Sequence, residues 1–290
     1  MPPHIGQDGF DHGDVHQPTG RVFVAHTANG TIEVVDGQRL QRLATIAGCP
    51  EGSGVLSPPS ANCVVAAARG SGDVLFIDPD ECAIKGRVTV RGRPNGLAWD
   101  SRRARVLVAD VARNSFSIVD AASQQVVGAA ALPGRPRWAV YDSENDHFLI
   151  NIRDPAAIAV VDPEASVVRS IWPVSCAGPH GLDLDSSGGR IFVACDGGEM
   201  VCVSSRDGAQ LATVPIAGVP DAIWFNAAAS SLYVAIAQPG VLQVIDTSRM
   251  IVAETIETEP GAQTTAFDVQ RQTLFVFKPA SCSVAAFQVT

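Results

Sequence analysis

Two stretches of the sequence decide the fold: PNGLAWDSRRARVLVADVARNSFSIVD at residues 94–120 and PHGLDLDSSGGRIFVACDGGEMVCVSS at residues 179–205. Related stretches begin at Phe10, Gly52, Pro136, Pro220 and Ala262. The residues that directly follow the seven starts are separated by 42, 42, 42, 43, 41 and 42 positions. A repeat of such constant length indicates an array of similar structural units.

Each copy of the repeat contains several short strands separated by turns. In the third copy we predict strands at 96–99, 105–109, 115–119 and 125–130, which are rich in Val, Ile, Leu, Phe and Ala. Asp or Asn recurs at the first turn, where its side chain suits Asx-type turns, at Asp100, Asp142, Asp185, Asn226 and Asp268. Units of four strands every 40–45 residues predict a β-propeller. We therefore expect an all-β protein with one domain over residues 1–290, a propeller of seven blades.

The closure of the ring is the least regular part of this prediction. The seventh copy ends at Thr290 after its third strand, with no clear fourth strand. Residues before Asp11 occupy the register of that missing strand. We hypothesise that the segment 3–7 supplies it and so fastens the ring.

Composition excludes several classes of function. The net charge of −9, from 21 Lys and Arg against 30 Asp and Glu, lacks the basic excess typical of nucleic-acid binding. No apolar run approaches the roughly 18 residues of a membrane helix, and no signal peptide is visible. The seven cysteines are odd in number and contain no Cys-x-x-Cys pair. We expect a cytoplasmic monomer with reduced thiols that contacts neither nucleic acid nor membrane.

The repeat resembles that of the YVTN-type seven-bladed propellers, whose core reads Y-V-A followed by V-x-V-I-D. Here this core appears as LYVAIAQPGVLQVID at 232–246 and VLVADVARNSFSIVD at 106–120. Propellers similar in fold include lactonases that act on sugar lactones and lyases of the streptogramin-lyase type. The resemblance implies the fold, but the full motif set of those lyases is absent, so it assigns no catalytic residue.

Two columns of the repeat lie at one mouth of the central channel, because the first strand of each blade lines it. One column follows the copy starts and is polar in every blade: Asp11, Ser53, Asn95, Arg137, His180, Asp221 and Gln263. The other ends the second strands: His26, Ala68, Asp110, Ile152, Cys195, Ile236 and Phe277. A chemically mixed ring favours a ligand site over a scaffold. The alternative is that a channel mouth is wet and tolerates polar residues of any kind.

One chemistry that fits the mouth uses consecutive blades. His180 would act as a general base oriented by Asp221, while Arg137 would hold a carboxylate or stabilise an oxyanion. This arrangement suits hydrolysis of a lactone or ester, or proton abstraction next to a carbonyl. The residues expected to contact the substrate are Ser53, Asn95, Asp110, Trp138, Cys195 and Gln263.

A second chemistry that fits uses a divalent metal ion as cofactor. Asp11, His12 and His26 in the first blade would bind the ion, which would polarise the substrate or activate water. Adjacent residues of a regular strand point to opposite faces, so Asp11 and His12 can both face the channel only with a bulge.

Together these features predict a small-molecule enzyme with its site at one channel mouth, either a lactonase-like hydrolase or a lyase. The alternative is a non-catalytic propeller that binds a protein, peptide or small ligand through its upper loops. Those loops include 27–30, 111–114 and 196–199, which are short and polar.

Overall fold

The computed structural model describes residues 1–6 and 9–289, and its strands form seven antiparallel sheets. Six sheets have four strands and the seventh has three, all in simple chain order. The all-β, seven-bladed propeller is therefore confirmed. The one helical element of the described residues is a 3-10 turn at Thr27–Asn29.

The first four blades follow the first four copies of the repeat. Blade one contains β1 Gly13–His16, β2 Arg21–His26, β3 Thr31–Asp36 and β4 Gln41–Ala47. Blade two contains β5 Gly52–Leu56, β6 Val64–Ala68, β7 Asp73–Asp78 and β8 Ala83–Thr89. Blade three contains β9 Pro94–Asp100, β10 Arg105–Asp110, β11 Ser115–Asp120 and β12 Gln125–Ala131. Blade four contains β13 Pro136–Asp142, β14 His147–Ile152, β15 Ala157–Asp162 and β16 Val167–Pro173.

The remaining three blades complete the ring. Blade five contains β17 Pro179–Asp185, β18 Arg190–Cys195, β19 Glu199–Ser204 and β20 Gln210–Pro215. Blade six contains β21 Pro220–Asn226, β22 Ser231–Ile236, β23 Val241–Asp246 and β24 Ile251–Glu257. Blade seven contains β25 Thr264–Asp268, β26 Thr273–Lys278 and β27 Ser283–Gln288.

The outer strands of the blades are less buried than the strands nearer the channel. The first strands of neighbouring blades pack on one another around it, and second strands such as β14 are buried along their whole length. Outer strands such as β16 alternate between exposed and half-buried residues. The core lies between adjacent sheets, where Phe23 of blade one packs with Leu75 of blade two, and Ile118 of blade three with Phe148 of blade four. Burial of this apolar surface is the main force that stabilises the ring.

The turns after the first strands use the predicted Asx chemistry. The carboxylate of Asp100 accepts hydrogen bonds from the backbone N–H groups of Arg102 and Arg103 at 2.9 and 3.1 Å. Asp142 and Asn226 accept equivalent bonds from the backbone two and three residues further on. This column is structural, as its uniformity indicates.

Residues 1–6 do not supply a fourth strand to blade seven. Among the residues that the structure describes, β27 pairs only with β26, and residues 1–6 form no strand. The segment instead crosses the mouth between blades one and seven. His4 Nε2 bonds to the Pro279 carbonyl at 2.8 Å, and the Pro3 carbonyl accepts a bond from Asn29 at 3.0 Å. The hypothesis for residues 3–7 is therefore wrong for 3–6, because their polar groups are satisfied at the mouth, and Gln7 lies outside the described residues.

The expectation that all thiols are reduced is also wrong. Cys176 and Cys195 form a disulfide, while Cys49, Cys63, Cys82, Cys202 and Cys282 are free. The sequence-based expectation of a cytoplasmic protein rested partly on reduced thiols, and this pair removes that support.

Candidate functional site

The polar column lies where the first strands enter the sheets with a bulge. In blade one the Asp11 N–H donates to the Ala25 carbonyl at 3.0 Å, and the Ala25 N–H donates to the His12 carbonyl at 2.9 Å. Two residues therefore oppose one, and a register shift occurs at the same place in blades two to six. A bulge re-aims side chains, so adjacent residues need not point to opposite faces. Accordingly His12 Nε2 lies only 3.5 Å from Asp11 Oδ1.

Glycines after the polar column bring neighbouring first strands close together. A Cβ atom on these glycines would overlap a carbonyl oxygen of the next blade, Gly54 with Asn95, Gly96 with Arg137 and Gly181 with Asp221. None of the three has a positive φ, so close approach rather than backbone conformation requires glycine here. The glycines thus fix the backbone that carries three of the polar side chains.

His180 is held between two carboxylates. Its Nδ1 lies 2.9 Å from Asp196 Oδ1, and its Nε2 lies 3.2 Å from Asp221 Oδ1. His180 is the second residue of β17, Asp221 is the second residue of β21, and Asp196 follows the end of β18. Asp196 Oδ2 in turn lies 2.7 Å from Nη2 of Arg153. The mouth therefore carries a continuous chain of charged groups.

Electrostatics favour the charged form of His180. Burial alone would lower the pKa of its imidazole, but the charges and hydrogen bonds of Asp221 and Asp196 outweigh burial and raise it above 6.5. Burial would likewise raise the pKa of Asp221 and Asp196, but interaction with His180 holds both below the usual range. The three groups therefore lie in the order carboxylate, imidazole, carboxylate, an arrangement that stabilises the charged form of the imidazole.

Arg137 places a cation at the mouth that pairs with no carboxylate of the described residues. Its side chain is half-buried, its Nε is fully buried without a hydrogen bond, and no carboxylate of the described residues lies within ion-pair distance of its guanidinium. Burial lowers its pKa, which the charge of nearby Asp221 partly offsets. A guanidinium always carries its charge in proteins, so this group is available to an anionic or carbonyl ligand.

Trp138 and His12 join the two sides of the mouth. Their rings meet edge to face with centroids 4.2 Å apart, and the Trp138 indole N–H points to Asp221 Oδ1 at 3.5 Å. Trp138 therefore lies beside the His180 arrangement. We call Arg137, Trp138, His180, Asp196 and Asp221 the mouth cluster.

The predicted metal ligands do not share one site. The Asp11 carboxylate pairs with Arg69 at 2.9 Å. His26 is fully buried, with its Nε2 2.7 Å from His4 Nδ1 and its Nδ1 3.4 Å from Glu33. Across residues 1–6 and 9–289, no group of three His, Cys, Asp or Glu side chains is arranged to hold a metal ion. The donor set proposed from Asp11, His12 and His26 therefore does not fit a divalent cation.

The other residues expected to contact substrate have mixed positions. The Ser53 hydroxyl is fully buried and donates to the Pro94 carbonyl at 2.9 Å. Asp110 accepts hydrogen bonds from the backbone N–H groups of Arg93, Ala112 and Arg113. Cys195 is fully buried in the disulfide. Asn95 is buried at the mouth with its Oδ1 unpartnered, whereas Gln263 lines a separate cavity of about 210 Å³ between blades one and seven.

Sequence reasoning missed three acidic residues of the channel region. Asp196 was assigned only to an upper loop. Asp14 is buried and Asp183 half-buried in the channel, where desolvation raises the pKa of Asp14 to about 7 and that of Asp183 to about 6. Their repeat column is otherwise apolar, with Leu56, Ala98, Val140, Trp224 and Ala266 in the other blades. Two carboxylates in an apolar column are a signal that the sequence already contained.

Comparisons with known proteins support the fold. No family model matches the chain. An uncharacterized protein of Salmonella typhimurium, YncE, is 24% identical over 205 residues, which are 70% of this chain and 47% of that protein. The chain thus spans about half the length of this curated relative.

Solved structures resemble the whole chain. A chain of Kuenenia stuttgartiensis hydrazine synthase superposes with a TM-score of 0.89 at 12% identity, covering 100% of this chain and 99% of that one. A chain of the mitotic checkpoint complex superposes with a TM-score of 0.85 at 11% identity, covering 99% of this chain and 90% of that one. At such identities the likeness shows the propeller fold alone. The described residues also include no helix with the length and apolarity needed to cross a bilayer.

Proposed function

We propose that the protein is a small-molecule enzyme, a lactonase-like hydrolase or a lyase, whose active site is the mouth cluster. The observation that carries this proposal is the half-buried guanidinium of Arg137, which has no carboxylate partner among residues 1–6 and 9–289 and lies near His180, itself held between two carboxylates. A fixed cation next to a proton-transfer group suits reactions in which negative charge develops on a carbonyl oxygen.

The roles follow from the distances. Asp196 makes the shorter contact with His180 and fixes its Nδ1, so the Nε2 face, whose contact with Asp221 is 3.2 Å, is the one that a substrate can reach. A carbonyl oxygen bound to Arg137 would become an oxyanion as the attacking group arrives. With its Nε2 unprotonated, His180 would take a proton from water or from the carbon beside the carbonyl, and would return it to the leaving oxygen. Trp138 would pack against the apolar part of the substrate.

The substrate class is supported by likeness as well as by chemistry. The repeat resembles that of YVTN-type propellers, and lactonases and streptogramin-lyase-type enzymes share the fold. A lactone or ester carries the carbonyl that Arg137 would stabilise and the leaving oxygen that His180 would protonate. Among structural neighbours, one belongs to a synthase and another to a checkpoint complex, so the fold accommodates enzymes and binding proteins alike.

The direct experiment measures turnover of a panel of lactones and esters by proton release. We expect His180→Gln to reduce the rate at least about 100-fold, because general acid–base catalysis contributes roughly 10²–10⁴. Its melting temperature should stay within a few degrees of the wild-type value, since His180 lies at the edge of the channel. Turnover that survives both His180→Gln and Arg137→Gln would show that this site assignment is wrong.

A second function is favoured by one specific observation. Carboxylates contact both nitrogens of His180. An imidazole that donates an N–H to each of them has no lone pair left to accept a proton from a substrate. The mouth cluster would then bind an anionic small ligand without chemistry, with the polar loops such as 27–30 around it. Saturable binding of a carboxylate probe together with no turnover of the whole panel would favour this function over the enzyme.

A further inference from the structure

The central channel contains a second enclosed space beyond the mouth cluster, which we call the waist cavity. It has a volume of about 110 Å³ and is lined mainly by His12, Asp14, Leu56, Trp138, Asp183 and Trp224. Because one water occupies roughly 30 Å³ of liquid, the cavity holds a group of only a few heavy atoms. A wider space of about 550 Å³ shares Leu56 and Asp183 with it and includes Tyr141 and Ser143. The waist cavity can therefore be reached from the mouth opposite the mouth cluster.

Backbone hydrogen bonds hold the two carboxylates of the waist cavity in place, but no positively charged side chain of the described residues pairs with them. Asp14 accepts hydrogen bonds from the backbone N–H groups of Val15 and Ser57, both at 2.7 Å. Asp183 accepts equivalent bonds from the N–H groups of Leu184 at 2.8 Å and Phe225 at 2.6 Å. In the part of the chain that the structure describes, neither carboxylate has an ion-pair partner. An ionised carboxylate offers about four acceptor positions, so each retains capacity for a ligand.

A second, independent feature of the cavity points to a ligand that donates hydrogen bonds. His12 is 94% buried, lines the cavity and has no hydrogen-bond partner among the described side chains and backbone. Its nearest charged neighbour is Asp11, whose Oδ1 lies 3.5 Å from Nε2. Because this contact is longer than an ordinary hydrogen bond, the imidazole retains the capacity to accept a hydrogen bond from a ligand in the cavity.

Aromatic rings complete the lining. Trp138 and Trp224 both border the cavity, and the indole N–H of Trp224 is engaged by Thr265 at 3.0 Å, which fixes that ring. Indole faces attract organic cations, and carboxylates accept the hydrogen bonds of an ammonium group. A metal ion fits less well, because no set of three ligating side chains is present within 1–6 and 9–289.

We propose that the waist cavity binds the primary ammonium group of a small organic amine. Asp14 and Asp183 would accept its N–H bonds from two sides, His12 would accept a third, and the carbon chain would lie against Trp224 and Leu56 toward the wider mouth. The cavity volume limits the buried part to the ammonium group and about three carbons. The proposal does not depend on whether the mouth cluster is catalytic.

The test is calorimetric titration of the full chain with n-propylammonium chloride at constant ionic strength. n-Propanol serves as the uncharged ligand of similar shape. We expect the wild-type protein to bind the amine at least tenfold more tightly than the alcohol. Equal binding of the two ligands, or no binding of the amine, would overturn the proposal even if every variant failed to fold.

Matched variants locate the binding. Asp183→Asn should weaken binding of n-propylammonium at least tenfold, while Asp80→Asn, the same charge change at an exposed position, should leave it unchanged. Circular dichroism would verify that both variants keep the sheet structure. Equal affinities in wild type, Asp183→Asn and Asp14→Asn would show that the amine binds elsewhere and would contradict the proposal.

Discussion

His180 Nδ1 lies 2.9 Å from Asp196 Oδ1, and this contact joins the first strand of blade five to the end of its own second strand. The pair is fixed within one blade, whereas the Asp221 contact comes from the next blade. The orientation of the imidazole therefore depends on a hairpin that the disulfide also constrains, because Cys195 directly precedes Asp196.

The titration of His180 tests this arrangement. Its pKa lies above 6.5, so protonation stabilises the fold below the unfolded-state value, and this contribution is lost as pH rises through the folded-state pKa. Asp196→Asn keeps an oxygen acceptor but removes the charge, and should lower the pKa of His180. NMR titration of the imidazole protons measures the change. Asp80→Asn is the control, and an unchanged His180 pKa in Asp196→Asn would contradict the pairing.

Gly181 tests the close packing of the first strands. A Cβ atom there would overlap the Asp221 carbonyl, so Gly181→Ala should displace the strand that carries Asp221. We expect a loss of about 1–3 kcal/mol in the free energy of unfolding, as is typical of overpacking. Gly197→Ala is a suitable control, since its nearest contact would be the Ala177 side chain at 3.3 Å. Urea denaturation compares the two variants, and equal stability would argue against the overlap.

The disulfide between Cys176 and Cys195 closes a loop with a sequence separation of 19. A cross-link of this loop length contributes roughly 3 kcal/mol by restricting the unfolded chain. We expect Cys176→Ser to lose about that amount in urea denaturation. Cys63→Ser removes a half-buried free thiol instead and should be nearly neutral. Free-thiol titration of the oxidised wild type should give five thiols, and seven would show that the bond is absent.

The buried carboxyl of Asp183 predicts a pH dependence of opposite sign to that of ordinary surface carboxylates. Burial raises its folded-state pKa to about 6, above the ordinary 3.8. The folded state therefore binds more protons, and its stability falls as pH rises from about 4 through 6. Asp183→Asn should reduce this slope whatever its effect on absolute stability, and the part that remains comes from Asp14, whose pKa is raised to about 7. Denaturation at several pH values provides the measurement, and an identical slope in the variant would refute the raised pKa.

The repeat made most of the fold predictable. A spacing of about 42 residues gives six of the seven copies the same four-stranded unit, and the predicted strand at 105–109 is observed as Arg105–Asp110. The path of residues 1–6 was not predictable, because it depends on single hydrogen bonds to Asn29 and Pro279 rather than on a pattern.

The site was predictable only in part. The polar column correctly placed His180 beside Asp221 and near Arg137, because equivalent positions of a repeat occupy equivalent places in a ring. The directions of the Asp11 and His12 side chains could not be predicted, since a bulge changes the alternation of side chains along a strand. The Cys176–Cys195 bond and the role of Asp196 depend on loop conformation, which strand periodicity does not encode.

The central claim, that Arg137 serves a ligand at the mouth cluster, is tested most directly by comparing two arginine variants. Arg135 lies two residues before Arg137 and is exposed, so Arg135→Gln makes the same charge change outside the site. In proton-release assays with the lactone that the wild type turns over fastest, Arg137→Gln should reduce the rate about 100-fold or more, and Arg135→Gln less than threefold. Equal rates in the two variants would contradict the claim.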